Sequence, residues 1–123
     1  MTSQTRVAVV DDDPRIRESL ESLCDAAQIE ANFFPSVEDF LAQDVGQFAC
    51  VVSDVKMPGM SGYELQRRIL EKRLNISIIF ISAYSDNKRM AEAMSLGAMA
   101  FLQKPFDGEE LLEWVDHALN AQK

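Results

Sequence analysis

Four polar marks in this sequence have the residue types and placement to do chemistry together. Asp11-Asp12-Asp13 ends the apolar run Val7-Ala8-Val9-Val10, and Asp54 follows Cys50-Val51-Val52-Ser53. Ser82 ends a nearly unbroken apolar run from Ile76 to Ile81, and Lys104 ends a last run over 98–103. Taken singly, an Asp at such a boundary is a turn former or the cap of a following helix. Taken together, the marks describe a reaction centre. Carboxylates held close together repel, so one takes up a proton or a cation sits among them. An all-oxygen, partly hydrated site suits Mg²⁺ better than zinc or copper. Beside such a cation Asp54 stays ionised and can act as a nucleophile, as carboxylates do when they form an acyl phosphate. Phosphoryl transfer needs its oxygens neutralised and little else, and Lys104 offers a point charge and Ser82 a hydroxyl donor.

These marks meet only if the intervening segments bring them to one edge. Residues 6–10 read as a buried strand, and Asp13-Pro14 as an N-cap followed by a first helical residue. Ile16, Leu20, Leu23 and Ala27 then recur at helical spacing, so the first helix runs to about Gln28. Residues 29–34 form a half-polar strand suited to an edge. Ser36 with Asp39 resembles a capping box that opens a short helix through Leu41, and Asp44-Val45-Gly46 is a loop. Residues 48–53 make the central strand, cut off by Pro58-Gly59 and Ser61-Gly62. A helix over 62–74 turns Leu65 and Ile69 inward, and 76–81 is a strand covered on both faces. A helix from about Asp86 stops near Gly97, 98–103 is the last strand, and Asp107 with Glu110 opens a final helix.

Five strands alternating with five helices predict an α/β, doubly wound, five-stranded parallel sheet with helices on both faces. The flavodoxin-like order 2-1-3-4-5 is common among small folds of this kind, and it places a ligand site where strands one and three lie side by side. At 123 residues the chain reads as a single domain over 1–123. A net charge of −8 argues against direct nucleic-acid binding and against anionic membrane surfaces. No apolar run reaches membrane-spanning length, and 1–6 is too polar for a signal peptide, so a cytoplasmic location is expected. Cys24 and Cys50 sit in apolar contexts and read as reduced core thiols. The single histidine, His117, excludes a His-cluster metal site.

The runs VVDDDP, VVSDVKMPGMSG, FISA and GAMAFLQKPF resemble the receiver domain of two-component response regulators, in the right order and over essentially the whole chain. The wording of the last run is similar to receivers placed ahead of DNA-binding output domains in transcriptional regulators. The resemblance implies that Asp54 is the phosphoacceptor, served by a sensor histidine kinase or a phosphotransfer protein. It implies that Asp11, Asp12 and Asp54 hold Mg²⁺ together with the Lys56 backbone carbonyl, that Lys104 contacts the phosphoryl group, and that the Lys104-Pro105 peptide is cis. It further implies a switch in which Ser82 moves toward the phosphoryl group and Phe101 rotates inward. Phe has no hydroxyl, so that switch works by packing alone. The output face would be the fourth helix, fifth strand and fifth helix, through which such domains form homodimers or bind partners. Lys56 and Tyr84, two residues after Asp54 and Ser82, stand where the family tunes the lifetime of the phosphate. Residues 120–123 end just after the fifth helix, so no output domain is expected within this sequence.

Two other readings use the same residues. Asp11-Asp12-Asp13 also satisfies the Asp-x-Asp pattern of haloacid-dehalogenase-type phosphatases, with Asp11 as the nucleophile. That reading leaves the Asp54 loop without a role and lacks a later acidic pair. A receiver-shaped interaction module that is never phosphorylated is the other; the intact acids, Ser82 and Lys104 count against it. The expected protein is therefore a switch that catalyses only its own phosphorylation and dephosphorylation, not an enzyme with a separate substrate.

Overall fold

The strands carry apolar residues on both faces, and their two-residue alternation assigns each side chain to one of two cores. The computed structural model describes residues 6–83 and 86–121. In it β1 (Arg6–Val10), β2 (Ala31–Phe34), β3 (Phe48–Asp54), β4 (Ser77–Ser82) and β5 (Ala100–Gln103) form one sheet in the order 2-1-3-4-5. Each neighbouring pair is parallel. Val7, Val9, Cys50, Val52, Ile79, Ile81 and Leu102 pack with α1 (Pro14–Ala26) and α5 (Gly108–Asn120). Ala8, Val10, Val51, Ile78 and Phe80 pack on the other face with α2 (Val37–Leu41), α3 (Gly62–Glu71) and α4 (Asn87–Ser95). This is the expected three-layer architecture. β3, at its centre, is buried along all seven residues, whereas β2 lies at the edge as its half-polar sequence requires.

The helix starts follow local chemistry. The side chains of Asp13, Ser36, Ser61, Asp86 and Asp107 each accept a backbone N–H from the first turn of their helix. The pair expected at Asp107 and Glu110 is corrected by one residue: the Asp107 carboxylate takes the N–H of Glu109 at 3.0 Å. Asp13 likewise takes the second amide of its helix, that of Arg15, at 2.9 Å.

The helix ends differ more from expectation. α1 stops at Ala26 and α3 at Glu71 because Gln28 and Arg73 adopt left-handed φ values of 59° and 53°. In both, the residue that follows the left-handed one bonds back across the last turn, Ile29 N–H to Cys24 O at 2.9 Å and Leu74 N–H to Ile69 O at 3.2 Å. Gly97, at φ 109°, ends α4 in the same way, and there the glycine announced the motif in the sequence. Asp44-Val45-Gly46, read as loop, leads into a short 3-10 turn (Val45–Gln47) that buries Val45. Cys24 and Cys50 are buried free thiols, and burial, with a smaller contribution from Cys24, pushes the Cys50 thiol up to about 12. Trp114 packs on the core beneath α5 with its ring centroid 5.8 Å from that of His117. No helix among the described residues is long and apolar enough to cross a membrane.

Candidate functional site

Parallel strands end on the same edge, and register decides which of their last residues meet. β1 pairs with β3 so that Val10 lies opposite Ser53, which brings Asp11 beside Asp54. Asp54 is itself opposite Ile81, one residue before Ser82. Ser82 is opposite Gln103, one residue before Lys104. The four marks therefore collect at the carboxyl edge around the β1–β3 boundary, where the strand order reverses.

Asp11 is wholly buried and Asp54 is 7% exposed, whereas Asp12 is exposed. One carboxylate oxygen from each of the three lies within 4.8 Å of the others. That is close to the span of about 4.2 Å across an octahedral Mg²⁺ site, so these hard oxygen donors fit such an ion. Asp11 Oδ1 accepts the N–H of Asp13 at 2.9 Å, and its Oδ2 accepts from Lys104 Nζ at 3.0 Å. Asp54 Oδ1 accepts the N–H of Val55 at 2.8 Å, and its Oδ2 stands 3.4 Å from Lys104 Nζ. Burial, and then the charge of Asp11, raise the Asp54 carboxyl above its ordinary value despite Lys104 and the Val55 amide. Burial on its own would lower the Lys104 pKa, but hydrogen bonds and charges from Asp11 and Asp54 outweigh it and hold the ammonium above its ordinary range. Two buried carboxylates thus share one cation, a deficit that a divalent ion beside Asp12 would correct.

Ser82 is buried at the end of β4 and lines a cavity of about 390 Å³ with Lys56, Ser61, Tyr63, Asp86 and Arg89. Lys56 is itself exposed. Phe101 stands apart from the acids: it is half-buried on the α4 side of β5, its ring 5.8 Å from that of Phe80 opposite it. The Lys104-Pro105 peptide is cis. Tyr84 lies outside the described residues.

Several supports of this site carry no sequence signal. Arg17, one turn into α1, donates to the Asp11 backbone carbonyl at 2.7 Å and steadies the acidic turn. Glu38 on α2 accepts the N–H of Met60 in the loop after Asp54. Arg89 stacks over the Tyr63 ring at 4.5 Å, and the buried Gln66 amide donates to Ala93 O at 2.9 Å. These two contacts tie α4 to α3. They join residues 26 and 27 positions apart, which no local pattern reveals.

A family model described as the response regulator receiver domain matches residues 7–116. The transcriptional regulatory protein TdiR of Thauera aromatica is 41% identical over 114 residues, covering 92% of this chain and 50% of that protein. The transcriptional regulatory protein FixJ of Bradyrhizobium diazoefficiens is 38% identical over 120 residues, covering 97% of this chain and 58% of that one. The solved structure of the response regulator StyR superposes with a TM-score of 0.88 at 38% identity, over 95% of this chain and 60% of that one. The chain spans about half the length of the curated relatives it matches.

Proposed function

The chain belongs to the response regulator receiver domain family, and from that premise we propose that it is a phosphorylation-operated switch with Asp54 as its acceptor. The observation that carries this is the cluster itself: buried Asp54 beside Asp11 and Asp12, with Lys104 bridging Asp11 and Asp54. Asp11, Asp12, Asp54 and the Lys56 backbone carbonyl would hold Mg²⁺, which when bound supplies charge neutralisation for the entering phosphoryl oxygens.

The chain's own residues do the rest. A sensor histidine kinase or phosphotransfer protein presents a phosphohistidine, and a carboxylate oxygen of Asp54 forms the new O–P bond as the P–N bond breaks. The imidazole leaves with the electron pair and takes up a proton. Val55 N–H holds Asp54 Oδ1 in place, so the carboxylate is oriented before the donor arrives. Lys104 faces both acids and neutralises the phosphoryl oxygens, and the Ser82 hydroxyl donates to one of them. Hydrolysis of the acyl phosphate resets the switch, and no separate substrate is turned over.

Output follows from packing. Ser82 drawn toward the phosphoryl group leaves space behind it, and Phe101 on β5 turns into that space. The face formed by α4, β5 and α5, with Lys88, Arg89 and Glu92 exposed on α4, then pairs with a second copy or binds a partner. Control of transcription is proposed from the relatives, as is a cytoplasmic location. A net charge of −8 argues against non-specific binding of this domain to nucleic acid or to anionic lipid.

Intact mass after incubation with Mg²⁺ and a small acyl-phosphate donor tests the reading. Wild type should gain one phosphoryl group, and Asp54→Asn or wild type in EDTA should gain none. Phosphorylation persisting in Asp54→Asn would move the acceptor elsewhere.

A further inference from the structure

We propose that Glu38 is a positioning residue for the loop that follows Asp54, bracing residues 56–61 so that the Lys56 backbone carbonyl stays beside the acids. This inference rests on the receiver reading of Asp54 and Lys56.

Glu38 Oε2 accepts the N–H of Met60 at 3.1 Å, across 22 residues of sequence. Gly59, at φ 80°, brings its backbone against the same carboxylate, so close that a Cβ there would overlap Oε2. The carboxylate therefore lies along the tip of the loop, with contacts at two successive residues. At the loop's base, Gly62 N–H bonds to Val55 O at 2.8 Å, and Gly62 packs so tightly on Asp54 O that only a glycine fits. Base and tip are thus held by different elements, β3 and α2.

The support itself is rigid. Val37 and Phe40 are fully buried on either side of Glu38, and Ser36 caps the helix by accepting the Asp39 N–H at 3.0 Å. Among the described residues Glu38 makes no ion pair, so its carboxylate serves the loop rather than a cation. A segment containing Gly59 and Gly62 loses considerable backbone freedom on ordering. A charged acceptor offsets part of that cost before the metal and the phosphoryl group arrive.

The test compares wild type with Glu38→Ala, Glu38→Gln and Asp39→Ala by amide exchange at Met60 and by Mg²⁺ titration. Asp39→Ala removes an acid from the same first turn of α2 without touching the loop, so it controls for helix electrostatics. Glu38→Ala should expose the Met60 amide to exchange and weaken Mg²⁺ binding about three- to tenfold, the size of one net hydrogen bond. Glu38→Gln keeps an acceptor oxygen and should recover most of both, and Asp39→Ala should match wild type. Unchanged Met60 exchange in Glu38→Ala overturns the proposal, and so does equal weakening of Mg²⁺ binding in Glu38→Ala and Asp39→Ala. Wild type that takes up no Mg²⁺ would refute the receiver reading and the proposed link to the metal. Met60 exchange would still decide the brace on its own.

Discussion

Lys104 donates to the buried carboxylate of Asp11 at 3.0 Å although 93 positions separate the two residues. The same ammonium stands 3.4 Å from Asp54, so a single cation serves two carboxylates taken from different strands. Asp11 has no exposure with which to recover solvation by water, and the Lys104 side chain is only 16% exposed. Without a metal ion, the stability of this edge therefore depends on Lys104.

Replacing Lys104 with Met leaves two buried carboxylates facing each other. Without Mg²⁺, Lys104→Met should lower unfolding stability by about 2–3 kcal/mol, somewhat less than for a fully buried pair. Saturating Mg²⁺ should recover most of that loss, because a divalent ion replaces the missing charge. Urea unfolding with and without Mg²⁺ checks this, and an equal loss in both conditions would refute the shared-cation account.

Asp54 behaves in the opposite sense. Burial and the Asp11 charge raise its carboxyl in the folded state, so ionising it costs folded stability. Below the ordinary Asp value of about 3.9 the group is protonated in both states and there is no cost. As pH rises through that value and then through the higher folded one, the cost appears in full. Asp54→Asn should therefore raise Tm at pH 7 without metal and change little near pH 3. Lys104 keeps its partner Asp11 in this variant. With Mg²⁺ the order should reverse, since wild type gains a ligand that the variant lacks. Thermal melts across pH, with and without Mg²⁺, decide it.

The attachment of α4 to α3 should be measurable at two separable points. Gln66→Met removes the donor to Ala93 O and should cost about 1–2 kcal/mol, because the amide is buried. Arg89→Ala removes the cation from the Tyr63 ring and should cost about 0.5–1 kcal/mol. Both variants should also speed amide exchange along α4, a helix of the proposed output face. Stability loss without faster exchange in α4 would show that these contacts do not restrain the helix.

Lys56 is exposed beside the cavity that Ser82 lines, two residues beyond Asp54. On the proposed reading, a long side chain there would hinder water approaching the acyl phosphate in line. Lys56→Ala, alone or with Tyr84→Ala, should speed loss of the phosphoryl group about threefold, less than 1 kcal/mol of barrier. Equal decay rates for wild type and variants would refute the shielding role.

Much of this protein was legible in its order of residues, because the relevant signals are local. Apolar runs broken by Asp11, Asp54, Ser82 and Lys104 mark strand ends. Asp13, Ser36 and Asp86 act as caps within a few residues of where they stand. The left-handed turns at Gln28 and Arg73 were not legible, because neither is a glycine and each turn is stabilised by packing of Ile29 or Leu74 on the core just beyond it. The sequence by itself determined which residues have the chemistry and that each ends a strand, since periodicity and turn propensity act between near neighbours. Only the tertiary structure decided that Lys104 pairs with Asp11, that Glu38 reaches Met60 and that Gln66 holds α4. Those distances depend on strand order and helix packing, which bring distant parts of the chain together through burial rather than through any pattern along it.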